Sequence, residues 1–103
     1  MIVTVFRTRL DPQAKDEYNV VAKRMSELAS KVPGHVAHKS YFSDDGEKVT
    51  IVELESEDAL RIWKTDTEHL VAKRAGISTF FTSFRYQICN VIHSRSWERP
   101  PRT

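Results

Sequence analysis

Between Ile2 and Leu10 β-branched and aromatic residues dominate, with Ile2 and Phe6 on one alternating set and Val3 and Val5 on the other. This pattern predicts a strand covered on both faces and so interior to a sheet. From Tyr18 the period changes. Tyr18, Val21, Ala22, Met25, Leu28, Ala29 and Val32 recur at spacings of three and four, which puts them on one side of a helix. Asp11 and Pro12 supply its N-cap and first-turn signals, Asp16 and Glu17 suit the positive end of its dipole, and Pro33-Gly34 ends it. His35 to Asp44 alternates weakly into the turn Asp44-Asp45-Gly46, and a second strand runs from Val49 to Glu55, completing a hairpin. Here too both faces are apolar, Val49 and Ile51 opposing Val52 and Leu54. Ser56 is positioned to cap a helix whose inward side is Ala59, Leu60 and Trp63. A break at Thr65-Asp66-Thr67 admits another short helix through Arg74, which Gly76 is expected to close as a left-handed cap. The last alternating stretch, Phe84 to His93, predicts the fourth strand, and the residues after Trp97 offer no pattern to pack.

The order strand, helix, strand, strand, helix, strand is that of the split βαβ motif. It predicts an α+β, ferredoxin-like βαββαβ fold: a four-stranded antiparallel sheet with its helices on one face. Right-handed crossovers leave the other face bare. Since two strands carry apolar residues on both sides, a second copy of the chain is expected to cover that face. A chain of 103 residues buries only roughly 60 to 65 % of its unfolded surface by itself, which favours a partner. Residues 1–96 are read as one domain and 97–103 as a C-terminal tail.

Charge narrows the function. Sixteen Lys and Arg against fourteen Asp and Glu leave a net +2, too weak a field for a nucleic-acid partner. No apolar run approaches the roughly 20 residues of a membrane span. The single Cys89 has no intrachain disulfide partner, and the opening residues lack a signal-peptide pattern, so a reducing cytoplasm is expected. There is no glycine-rich phosphate loop, no CxxC and no histidine pair at metal-ligand spacing, so neither a nucleotide nor a metal site is expected.

The chain resembles the antibiotic biosynthesis monooxygenase family of dimeric α+β barrels. The resemblance rests on Phe6-Arg7, Pro33-Gly34, Trp63, Glu68-His69 followed by Ala72, Gly76, and the run from Phe80-Phe81 to Cys89, and it spans nearly all of residues 1–96. It implies a homodimer in which two sheets meet face to face, each subunit keeping a pocket between its sheet and helices. The activities it implies are cofactor-independent oxygenation of aromatic or quinone-like compounds, haem degradation, or a small isomerase reaction. Many members have no established activity. Haem-degrading relatives carry an Asn on the first strand and a haem-ligating His ten residues after a Trp. Here the first strand has no Asn, and Lys73 stands ten residues after Trp63. Lysine is a poor iron ligand unless burial strips its proton, so no cofactor is expected.

Oxygenation without a cofactor requires the substrate to lose a proton and then give its own electrons to oxygen, so the protein must supply a base, a dry apolar pocket and donors for the anion. His69 is the candidate base, because imidazole titrates near neutral pH, with a surface or capping histidine as the plain alternative. Trp63 is either a pocket wall or a core anchor, and Tyr86 a hydroxyl donor or a packed sheet tyrosine. His38, Phe80, Phe81, Asn90 and Arg7 are the substrate-binding candidates, though Arg7 and Arg85 suit ion pairs equally well. Phe84 adds lining, and Cys89 reads as a small buried hydrophobe. A binding or stress-associated module without turnover, or an isomerase, fits the same scaffold.

Overall fold

In a computed structural model residues 1–102 are described, Thr67 by its backbone alone. The elements are β1 (Ile2–Leu10), a 3₁₀ turn (Pro12–Ala14), α1 (Lys15–Ser30), β2 (His35–Phe42), β3 (Lys48–Leu54), α2 (Glu57–Thr65), α3 (Thr67–Ala75), a π-helical turn (Gly76–Phe80) and β4 (Phe81–Asn90). The strands form one antiparallel sheet in the order β2-β3-β1-β4, the ferredoxin-like arrangement, with β3 and β1, the strands apolar on both faces, in its middle. Local chemistry starts α2 and α3: Ser56 accepts the Ala59 N–H at 3.3 Å and Asp66 accepts the His69 N–H at 3.0 Å. Asp11, expected to cap α1, instead accepts the Gln13 N–H at 2.9 Å and so caps the 3₁₀ turn, leaving Ala14 at the start of α1 without a side-chain cap. Gly34 sits at φ +88°, and a β-carbon there would come within 2.8 Å of the Ala59 methyl, so glycine is required both by the turn and by the close passage of α2.

Register assigns the faces. Ile2, Thr4, Phe6 and Thr8 point to the helices together with Val52 and Leu54, and Ile2, Val52 and Leu54 join Ala59 and Leu60 in the core. Leu54, 1 % exposed, is its most enclosed side chain; burying such a leucine stabilises the fold by about 1.5–3 kcal/mol. On the opposite face lie Val3, Val5, Val49 and Ile51, half-buried, and among the described residues no helix crosses them. Two ion pairs border this face, Arg7 with Glu47 at 3.1 Å and Arg9 with Asp45 at 2.7 Å.

Three further expectations change. The last strand begins at Phe81 rather than Phe84 and ends at Asn90 rather than His93, because Phe81 pairs with Leu10 across a bulge and Asn90 already faces Ile2, the first residue of β1. Beyond it only the Met1 carbonyl remains, accepting from the Val91 N–H at 3.0 Å, and Ile92 is 97 % exposed. Gly76 is right-handed, at φ −58°, not a left-handed cap. Its missing side chain serves packing instead: a β-carbon would stand 2.7 Å from the Phe81 ring, and the helix widens into the π turn there. Cys89 is exposed on the bare face rather than buried within its own chain. No helix is long and apolar enough to cross a membrane among the described residues.

Candidate functional site

A cavity of about 610 Å³ lies between the sheet and the helices, within the size range of small-molecule sites. One side of β1, β3 and β4 makes its floor: Thr4, Phe6, Thr50, Val52 and Tyr86. α1 forms one wall with Tyr18, Val21, Ala22, Met25, Ser26 and Ala29, and α2 and α3 form another with Trp63, His69, Ala72 and Lys73. Phe80, Phe81 and Phe84 close one end. Their rings interlock edge to face: Phe6 meets Phe81 at 5.7 Å and Tyr86 at 5.8 Å, while Tyr18 meets Phe80 at 5.8 Å and Phe81 at 5.7 Å between centroids.

Trp63 is both anchor and wall, 8 % exposed yet lining the cavity. His69 stacks on it, the rings 3.9 Å apart and inclined by 12°. The break at Asp66 makes this geometry, since it ends α2, caps α3 through the His69 N–H and returns the imidazole over the indole. His69 Nδ1 lies 2.9 Å from the Trp63 carbonyl oxygen, which can only accept. Nδ1 therefore carries the hydrogen, and Nε2 of the neutral ring keeps its lone pair free to take a proton. Burial, foremost, lowers the His69 pKa from its ordinary 6.5; the Trp63 carbonyl opposes the shift, Lys73 adds to it and Asp66 offsets it. The ring is neutral at pH 7, as a base must be.

The facing wall holds a second histidine. His38 Nε2 lies 2.6 Å from Ser26 Oγ, and its Nδ1 lies 2.7 Å from His35 Nε2, so a hydrogen-bonded chain leads from the cavity wall to His35, which does not line it. Burial first, and then the neighbouring His35, lower the His38 pKa. Burial raises that of Tyr86, with the adjacent Thr4 hydroxyl opposing the rise. Of the candidates named from sequence, His38, Trp63, His69, Phe80, Phe81 and Tyr86 share this cavity. Arg7 and Asn90 do not line it. Arg7 points to the bare face, bound to Glu47, and Asn90 sits opposite Ile2 at the far end of β4. Sequence reasoning missed Ser26, Lys23, Lys48 and Lys64, which all line the cavity. For Lys48 a signal was present, since its parity in β3 is that of Val52 and Leu54; the exposed lysines on helices gave none. Among the described residues no group of three His, Cys, Asp or Glu could hold a metal ion.

No protein-family model matches the chain. The uncharacterized protein YqjZ of Bacillus subtilis (strain 168) is 32 % identical over 81 residues, which cover 79 % of this chain and 71 % of that protein. Among solved structures, Rv0793 of Mycobacterium tuberculosis superimposes with a TM-score of 0.79 at 20 % identity, covering 92 % of this chain and 98 % of that one. SnoaB of Streptomyces nogalater, described as a cofactor-independent oxygenase, superimposes with a TM-score of 0.76 at 19 % identity over 90 % of this chain and 94 % of its own. An antibiotic biosynthesis monooxygenase structure gives 0.77 at 15 % identity over 90 % of this chain and 100 % of the other. At these identities the structural likeness establishes the fold.

Proposed function

Since the chain belongs to one family with YqjZ of Bacillus subtilis and has the fold of the antibiotic biosynthesis monooxygenases, we propose that it is a cofactor-independent monooxygenase acting on a small aromatic or quinone-like compound. The observation that carries this reading is His69: neutral, stacked on Trp63, with Nε2 left as an acceptor on an apolar cavity. In the proposed reaction Nε2 takes the proton of a bound phenol or enol. The resulting anion gives one electron to dioxygen, the two radicals combine as a carbon-bound peroxide anion, and this takes the proton back from Nε2 to become a hydroperoxide. Loss of water from that hydroperoxide breaks the O–O bond and leaves a new carbonyl, so one oxygen atom enters the product and the other leaves as water. Tyr86, a phenol that burial shifts further toward its protonated form, donates a hydrogen bond to the substrate oxygen. Trp63 and the phenylalanine cluster hold the ring and exclude water.

The working form in this reading is a homodimer joined through the bare sheet face, where Val3, Val5, Val49 and Ile51 stay half-buried in a single chain. Residues 1–96 make up the folded domain and 97–103 a tail, Thr103 lying outside the described residues. A reducing cytoplasm suits the unpaired Cys89.

Oxygen uptake with a panel of hydroquinones tests the reading. Wild type should consume oxygen without added metal or flavin, and His69→Ala should lower the rate by about 10²- to 10⁴-fold. Uptake indifferent to the substitution removes His69 from the chemistry, and no uptake with any member of the panel returns the protein to the binding-module reading. One observation keeps an isomerase in play: His38 and His69 both line the cavity, as a proton shuttle requires. Turnover of an enolisable ketone under anaerobic conditions would select it.

A further inference from the structure

Over the whole chain basic and acidic residues nearly balance, sixteen against fourteen, but around the cavity they do not. Lys23 from α1, Lys48 from β3, Lys64 from α2 and Lys73 from α3 converge on it, and among the described residues no Asp or Glu lines it. None of the four lysines belongs to an ion pair among the described residues. Carboxylates near the lining residues in sequence are already engaged: Glu68 receives Arg24 through two bonds, 2.9 and 3.0 Å long, Glu27 meets the same Arg24 at 3.7 Å, Glu47 is paired with Arg7, and Asp66 caps α3. Lys48 Nζ reaches the Tyr18 hydroxyl at 2.8 Å, a neutral partner that leaves its charge uncompensated. Of the other groups that line it, His38, His69 and Tyr86 are each shifted toward the neutral form. The cavity thus has an uncharged, aromatic interior and a cationic rim.

We propose that the cavity selects an aromatic compound bearing a carboxylate or comparable anionic substituent, with the ring on the Trp63 side and the anion held at the rim by Lys23, Lys48, Lys64 and Lys73. This rests on the reading of the cavity as an aromatic-compound site but not on oxygenation. The complementarity follows from the two environments: burying a charge among Phe6, Phe81 and Tyr86 is costly, whereas at the rim an ammonium meets it in water. Lysines on four separate elements line the cavity, so the anion is recognised by field more than by a fixed bidentate geometry.

Calorimetric titration of the full chain with 1-hydroxy-2-naphthoate and with its uncharged amide, neither requiring turnover, tests this. At about pH 8 the acid should bind about tenfold more tightly than the amide. Sodium chloride at about 1 M, where screening acts within about 3 Å, should abolish most of that preference. The double variant Lys23→Gln/Lys73→Gln should weaken the acid and leave the amide unchanged, while Lys15→Gln, which lies outside the cavity, should alter neither. Equal binding of acid and amide, failure of both to bind, or a preference that survives salt and the double substitution overturns the proposal. Binding with these preferences but without oxygen uptake on any hydroquinone would leave it standing and sink the oxygenase.

Discussion

On one side of the sheet Ile2, Val52 and Leu54 are buried beneath the helices; on the other, Val3, Val5, Val49 and Ile51 come from the same strands and yet remain half-buried. The residue types hardly differ. What differs is connectivity, because both crossovers pass over one face, and the chain has no further helix among the described residues to lay on the second. The helical face also contains the buried hydroxyls of Thr4 and Thr8 and opens into the cavity, whereas the bare face is edged by Arg7–Glu47 and Arg9–Asp45. One face is thus built around a space and the other around a plane. The plane of valines and isoleucine is the surface through which the proposed homodimer would join.

The sharpest contrast comes from truncating one leucine. Leu54→Ala should cost about 3 kcal/mol in a urea titration, since Leu54 is 1 % exposed and its neighbours Ala59 and Leu60 are held by α2 and cannot collapse far into the space. A loss below about 1 kcal/mol would mean that the core is looser than its burial implies. Ile51→Asp, on the plane, acts through association. It should raise the dimer dissociation constant by roughly a hundredfold, about 2.7 kcal/mol, measured by sedimentation velocity, while ligand binding in the cavity persists. A dimer that ignores this charge joins through some other surface. Smaller again is Asp66→Ala, which removes the cap of α3 and should cost about 1 kcal/mol. If the cap also positions the imidazole, the variant lowers oxygen uptake by more than that stability loss explains.

These contrasts also mark how much could be read from residues alone. The strands of β1 and β3, both apolar faces, the stripe of α1 and the inward set Ala59, Leu60 and Trp63 were legible because period two and period 3.6 leave distinct traces. The bounds of β4 were not, because Phe80, Phe81 and Phe84 are apolar in either setting and only pairing with Leu10 decides where the strand begins. Gly76 misled for a related reason: glycine signals a left-handed cap and a close approach alike, and only the position of the Phe81 ring separates them. Trp63 and His69 were visible as types, but their stacking depends on the turn at Asp66, and the Ser26–His38–His35 chain joins α1 to β2, a contact without a local signature.

Titration gives the smallest effect, and it separates the two faces again, since the depressed histidines both line the cavity. His69 has its pKa lowered in the folded chain below the 6.5 it recovers on unfolding, so the unfolded state binds the proton more readily. Its contribution to stability is therefore complete above pH 6.5 and is lost as pH falls through the folded value; His38, lowered by burial and by His35, acts in the same direction. Proton NMR should find the His69 midpoint below 6.5. Lys73→Gln should raise that midpoint by removing a nearby positive charge, and Asp66→Asn should lower it further by removing a negative one, while Asn still caps α3. The same midpoint governs the acid limb of oxygen uptake if Nε2 is the base, so the limb should move with both substitutions and in the same sense. A midpoint at or above 6.5, or a limb that stays fixed while the imidazole midpoint moves, would separate the stacked histidine from the chemistry and leave Trp63 holding a structural ring.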